Sequence, residues 1–476
     1  MVPFYYYPAN FSKKVTKITV KFFTAKKGPY PIRMAWGGLT RGERRRRIYL
    51  GMRGITAIDK LFASLLAMVF QVGTRLFYSI EVRGKRNFTR SPSTIIVINH
   101  RRDPDIPILG PLVHFRRGFW PGKRPWFFTR EDYFYPGGLA VYFKLRGLLG
   151  RLAFALNIGP ALMALRAHPM HQLADTKVNQ MLRELQHAWG NPKLEQLVRP
   201  EALERLAWWL GQPKEALGSR SIRDLFSWRY RKLLERKWDC GLIREDMCRR
   251  VAEVQRALAR KQIETFASLL RQGETLFLAP EGNTSLDGSM LPFKSVLHRV
   301  VRQSGTAVRF LPIHIVYDSM TTGRTKVFVT FAPEVPADNL PRKKMIENVR
   351  QSLARAGVIT MSQLGSLFIM EAVQRGQETI TREGLREWLQ GRARELSQNG
   401  ANLDPRLLAP SPLEKRLDAF LGFCTIKGHL SPLGQKSYRI DRLAILDPGQ
   451  KAFPENPVNY CYKEFQSLTS GWHVDH

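Results

Sequence analysis

The chain reads as an α/β protein carrying a helical insertion and a mostly helical C-terminal domain. Three observations predict this. β-Branched and aromatic runs alternate with helical patterns from residue 79, the same alternation returns over 273–336, and 171–272 between them shows several helices and little strand. Alternation of this kind builds a sheet whose faces are covered by helices. The expected divisions are a basic arm at 1–54, a first part of the α/β domain at 55–165, an insertion at 166–272, a second part at 273–337 and a C-terminal domain at 338–476.

Each element has its own signal. Residues 1–54 hold thirteen Lys/Arg and one acid, Glu43. Such a block is either a solvated tail or a contact to anionic lipid. From 55 to 80, Ile55, Ile58, Phe62, Leu65, Leu66, Val69, Val72 and Leu76 recur at three- and four-residue steps, with Lys60, Ser64, Ala67, Gln71 and Arg75 opposite. This amphipathic pattern predicts a helix packed on the core, with a membrane-surface helix as the other reading. Ser79–Arg83 and the β-branched run Ile95-Ile96-Val97-Ile98 read as strands. Pro104 and Pro107 suit the first turn of a following helix.

Residues 152–165 carry no charge and lie between Arg151 and Arg166, interrupted by Gly159-Pro160. The run is too short to span a bilayer and suits an interfacial or a buried helix. The segment 171–272 contains five of the ten tryptophans, and 220–261 carries thirteen Lys/Arg against six acids. Strands are then expected at Leu276–Leu278, Phe310–Tyr317 and Lys326–Phe331. Helices dominate after 338, with a small β-ribbon expected from Phe420–Cys424 and Ser437–Leu446.

The bulk properties narrow the function classes. A hydrophobic content of 44% supports a sizeable core, while a net charge of +35 points to an anionic partner: nucleic acid, membrane or a phosphate-bearing substrate. The four cysteines lack zinc-type spacing and read as free thiols. No secretory signal and no long uncharged apolar span is evident.

The chemistry concentrates after the second strand, at Asn99-His100-Arg101-Arg102-Asp103-Pro104-Asp105. His100 is the only histidine with an aspartate five positions on. A histidine beside a carboxylate is a small constellation able to deprotonate an alcohol near neutral pH. Further along stand Pro280-Glu281-Gly282-Asn283-Thr284-Ser285, then Phe293-Lys294, then Leu311-Pro312-Ile313-His314-Ile315-Val316-Tyr317-Asp318. In order and strand context these four blocks resemble the PlsC-type glycerolipid acyltransferases, the superfamily of glycerol-3-phosphate and 1-acylglycerol-3-phosphate acyltransferases. The first resembles its NHX4D signature, the second its PEGTRS block.

The resemblance implies a mixed sheet flanked by helices and an O-acyltransferase of phospholipid biosynthesis. His100 would be the general base and Asp105 its orienting carboxylate. Glu281, Gly282 and Pro312 would help form the acceptor site, and Lys294 and Arg102 would bind phosphate. No cofactor or metal is called for; acyl-CoA or acyl carrier protein is the donor, and glycerol 3-phosphate, lysophosphatidate or a related lysolipid the acceptor. The expected partner is an anionic membrane surface, with the protein peripheral or monotopic on the cytoplasmic side of the cell membrane. Asn283-Thr284-Ser285 replace the family's Thr-Arg-Ser, which leaves the acceptor open. His314, inside a strand, is expected to be structural. Two alternatives remain: a nucleic-acid-binding protein with a winged-helix-like region over 362–446, and an inactive acyltransferase-like scaffold.

Overall fold

In the computed structural model the described residues are 57–89, 91–116, 124–134, 147–155, 159–170, 177–337, 340–447 and 452–470. The basic arm at 1–54 lies outside them. The strands of the main sheet are Ser79–Arg83 (β1), Thr94–Ile98 (β2), Trp126–Arg130 (β3), Ala167–Met170 (β4), Leu276–Leu278 (β5), Arg309–Asp318 (β6), Lys326–Phe331 (β7) and Val335–Pro336 (β8). Their order is β1-β7-β6-β2-β5-β3-β4, with β8 paired to β6. β2 pairs in parallel with β5 and β6, whereas β6 and β7 are antiparallel, so the sheet is mixed.

β2 explains its own sequence. Ile95, Ile96, Val97 and Ile98 are all fully buried, and a central strand covered on both faces is apolar at every position. Ile95 and Val97 enter one core with Leu276, Leu278 and Phe310; Ile96 and Ile98 enter another with Leu311, Ile313 and Ile315. The period-2 alternation thus sorts residues between two helix-covered faces. On one face lies Asp105–Arg116, through Ile108, Leu109 and Val113. On the other lie the end of Glu245–Arg271, Val296–Ser304 and Arg342–Ala356.

Helices of nine or more residues are numbered in chain order: Ala57–Phe77 (α1), Asp105–Arg116 (α2), Gly147–Ala155 (α3), Val178–Trp189 (α4), Pro200–Leu210 (α5), Glu245–Arg271 (α6), Val296–Ser304 (α7), Arg342–Ala356 (α8), Met361–Gln374 (α9), Arg382–Gln398 (α10), Pro410–Ile426 (α11) and Pro457–Thr469 (α12). Residues 178–251 surround a hydrophobic core of their own. Its flanks differ from the expected boundaries: β4 adds an edge strand to the main sheet after residue 166, and Phe266, Leu269 and Leu270 of α6 pack into the α/β core.

α1 departs from the expected packing. Ala63, Ala67 and Thr74 are its buried residues, and Ser64 Oγ lies 3.1 Å from His114 Nε2 of α2. The apolar face read from the sequence points outward: Leu65, Val69, Val72 and Leu76 are 46–69% exposed, and Leu61 and Met68 join them. The buried positions of the helix are thus small, and the bulky ones are left on the outside. No helix among the described residues is long and apolar enough to cross a membrane.

The C-terminal region corrects the expected ribbon. Phe420–Cys424 lies inside α11, where Leu413, Leu417, Phe420, Leu421 and Cys424 are buried at helical spacing. The ribbon is instead Leu430–Pro432 (β10) with Ser437–Ile440 (β11), joined by Thr379–Thr381 (β9) in the order β10-β11-β9. Helix, strand, two helices and a hairpin follow one another in the order of a winged helix. However, α11, which would occupy the DNA-reading position, is turned inward. Arg416 pairs with Asp318 and donates to Thr321 Oγ1 (3.2 Å), and a Cβ on Gly422 would stand 3.1 Å from Thr322. Glu414 and Asp418 of the same helix are paired with Arg382.

Candidate active site

β2, β5 and β6 run in parallel and end on the same side of the sheet. Their exits carry Asn99-His100, Ala279-Pro280-Glu281 and Asp318 respectively. β5 and β6 lie on opposite sides of β2 although they follow each other in the sheet's sequence order. Such a switch point opens a crevice beyond the carboxyl ends of the strands.

His100 Nδ1 lies 2.9 Å from Asp105 Oδ2. The aspartate is completely buried, while the imidazole is 24% exposed. Asp105 begins α2 and is fixed by more than the histidine. The backbone N–H groups of Arg101 (2.6 Å) and Arg102 (3.0 Å) donate to Oδ2, and the Tyr317 hydroxyl donates to Oδ1 (2.6 Å). Four donors around one carboxylate hold its charge and orientation inside the protein. Nδ1 faces that carboxylate, so Nε2 is the nitrogen left for a reacting group.

The electrostatics follow from this geometry. Burial alone would lower the His100 pKa, but the hydrogen bond and charge of Asp105, aided by Asp103 and Glu281, outweigh it and raise the pKa above the ordinary value. Burial pushes the Tyr317 hydroxyl well up, with Asp105 adding to the shift, so it stays a neutral donor.

The other expected residues divide sharply. Glu281 is buried and accepts from the His100 amide (3.3 Å) and the Leu291 amide (2.8 Å), one on each oxygen. It braces the histidine loop, and burial raises its pKa against the pull of Arg101 and those amides. Gly282 has φ +76°, a conformation that favours glycine, and a Cβ there would stand 2.5 Å from Lys294 Nζ, the end of a flexible side chain. Lys294 lies over this glycine, with no ion-pair partner among the described residues. Arg102 donates to Ser319 Oγ (2.8 Å), and its guanidinium lies 4.0 Å from the Phe453 ring centroid and 4.8 Å from that of Tyr317. Pro312 is buried within β6 opposite Val97, away from the exposed mouth. Two amides of the loop that follows Glu281 are engaged within the protein: Gly282 N–H to Ala279 O (3.0 Å) and Ser285 N–H to His100 O (3.3 Å).

Two residues of the motif blocks take on contacts that the sequence does not specify. Asn99 is fully buried and exchanges two hydrogen bonds with the Ile315 backbone, at 2.9 and 2.8 Å, which fixes the end of β2 to β6. Its place at the end of an apolar strand was the available signal. Tyr317 belongs to the fourth block, but nothing local signals its contact with Asp105, which lies 212 positions away. Apolar surface borders the mouth: Ile106, next to Asp105, is 42% exposed, and Leu286, next to Ser285, is 70% exposed. A cavity of about 650 Å³ lined by Asn87, Phe331, Glu334, Arg355 and Asn402 belongs to the other end of β7 and contains none of the histidine cluster.

No family model and no curated protein matches the chain. Among solved structures it is similar to the crystal structure of the 1-acyl-sn-glycerophosphate (LPA) acyltransferase PlsC from Thermotoga maritima, with 17% identity, a TM-score of 0.29, and coverage of 66% of this chain and 86% of that one. A TM-score at that level does not establish a common fold, so the assignment of the site rests on its own geometry.

Proposed function

We propose that the protein is an O-acyltransferase that works at an anionic membrane surface and moves a fatty acyl group from acyl-CoA or acyl carrier protein to a glycerol phosphate or lysolipid hydroxyl. The observation that carries this reading is the His100–Asp105 pair, with its carboxylate buried, its Nδ1 occupied and its ring edge open to a substrate. Nε2 takes the proton of the acceptor hydroxyl as the oxygen attacks the thioester carbonyl. The tetrahedral intermediate collapses with loss of the thiolate, and the imidazolium returns the proton to the leaving sulfur. Asp105 holds the tautomer and favours the imidazolium. Lys294 is the cation available for a phosphate, and Arg102, stacked on aromatic rings, supports the loop.

The surface argument rests on α1. Its bulky side chains are exposed in a stripe, which soluble monomers rarely display at this scale, and the chain is strongly basic. α1 also leads to the site: Ser64 meets late α2, while Tyr78, just past its end, packs edge-on against Tyr317. An acyl chain held along α1 would therefore arrive beside Asp105. The inward-facing α11 gives no support to nucleic-acid readout.

The test is to incubate protein and anionic vesicles with labelled acyl-CoA or acyl carrier protein and a panel of glycerol phosphate and lysolipid acceptors. Transfer to one of them by wild type, with loss in the triple variant Leu65→Asn, Val72→Asn, Leu76→Asn only when the acceptor is vesicle-bound, supports the proposal. No transfer to any acceptor under either condition overturns it.

A further inference from the structure

The loop that carries His100 is gripped from behind by the last helix of the chain. Arg101 directs its backbone N–H to the catalytic carboxylate (2.6 Å) and its side chain the opposite way. That side chain is fully buried, donates from Nη1 to Gly288 O (2.6 Å) and Ser289 O (3.2 Å), and has Nε 3.7 Å from Glu464 Oε1 of α12. Nε and Nη2 have no hydrogen-bond partner among the described residues, so the charge of Glu464 is the main compensation for a guanidinium removed from water. Glu464 is itself 4% exposed at the side chain and is held through its other oxygen by Gln363 Nε2 (2.9 Å) of α9.

The same helix grips the second catalytic loop. Met290 N–H donates to Ser467 Oγ (3.0 Å), and Lys463 Nζ pairs with Asp287 (3.0 Å). Gly288, at φ +86°, approaches so closely that a Cβ would stand 2.1 Å from Tyr460 O. The next residue along, Leu291, donates its amide to Glu281, whose other oxygen accepts from the His100 amide. A closed circuit results: histidine loop, Glu281, the 287–291 loop, α12, and back through Arg101.

We infer that Arg101 and Glu464 are positioning residues, and that α12 is a built part of the active site, setting the orientation of the His100–Asp105 pair through the buried Arg101–Glu464 charge pair. This deepens the acyl-transfer reading and rests on it for the reaction, although the geometry of His100 is a property of the protein alone. Removing the charge of Glu464 leaves Arg101 uncompensated, so the arginine moves to find water and takes the Asp105-binding amide with it.

The experiment compares wild type, Glu464→Gln and Glu464→Asp in the full chain, reading acyl transfer per folded molecule, melting temperature, and the titration of the His100 ring by NMR, assigned with His100→Ala. Glu464→Gln is expected to lower kcat by about tenfold or more with KM changed less than about threefold, a small part of the range for a general base. The His100 midpoint should move down toward that of an ordinary histidine, and Glu464→Asp should restore part of both. Should Glu464→Gln fail to fold, Gln363→Leu keeps the charge but frees one carboxylate oxygen, and a smaller shift in the same direction is expected. A lower melting temperature with kcat and the His100 midpoint unchanged would mean a merely structural pair and overturns the inference. If wild type transfers no acyl group yet Glu464→Gln moves the His100 midpoint, the acyl-transfer proposal fails and the positioning role stands.

Discussion

Two histidines lie on neighbouring strands of one sheet and have opposite fates. His100, just past β2, faces a buried aspartate, keeps part of its ring in solvent and has a raised pKa. His314, in the middle of β6, is 1% exposed, has no hydrogen-bond partner on either ring nitrogen among the described residues, and is pushed well down by burial and then by Arg101. Both feel desolvation as the largest influence, which lowers the pKa of a histidine. The Asp105 carboxylate, aided by Asp103 and Glu281, reverses the outcome. In the proposed reading catalytic character comes from the partner and the opening, and the imidazole without them is a neutral core residue.

The largest test of this contrast is His100→Ala. It should cut acyl transfer by about 10²–10⁴-fold while vesicle binding, measured by flotation, stays as in wild type. Next comes Asp105→Asn. The amide favours the wrong tautomer, and kcat should fall on the order of 10³-fold, with the substrate dissociation constant little changed in equilibrium binding. A smaller effect is expected for Tyr317→Phe, which leaves one oxygen of the buried carboxylate without its hydroxyl donor. Urea denaturation should show a loss of about 1–3 kcal/mol. Smallest is His314→Leu, which replaces an unpaired buried imidazole by an apolar side chain. Stability should change by less than about 1.5 kcal/mol, and the pH dependence of acyl transfer should not move. A shifted pH profile in that variant would break the contrast.

Both roles were readable in the sequence, His314 from its place inside a strand pattern and His100 from a local motif. His100, Asp105 and the strand before them share eleven consecutive residues, so spacing and hydrophobicity carried the message. β1, β5 and β7 were read from β-branched and aromatic runs with the same limits found in the structure. β3 and β4 were not. β4 contains Pro169 and is an edge strand, a place where proline is tolerated and the hydrophobic signal is weak. α1 was legible as an amphipathic helix but not in its orientation, because the face that is buried is the one with the small residues Ala63, Ala67 and Thr74, which carries no strong hydrophobic signal. The supports of the site, Tyr317, Arg101 and Glu464, were hidden for a different reason. They act through contacts between distant segments, and a lone buried ion pair leaves no local pattern.

The most direct test of the central claim, that His100 is a base oriented by Asp105, is the pH dependence of kcat/KM for acyl transfer in wild type and in Asp105→Asn. A base must be neutral to act, so wild-type activity should rise with pH through a midpoint above 6.5, the ordinary histidine value from which His100 is raised. In Asp105→Asn the desolvation remains and the largest attraction is gone, leaving only Asp103 and Glu281 to oppose it, so the residual activity should rise through a midpoint lower than that of wild type. The same midpoint in both proteins, or a wild-type profile flat through this range, would contradict the account.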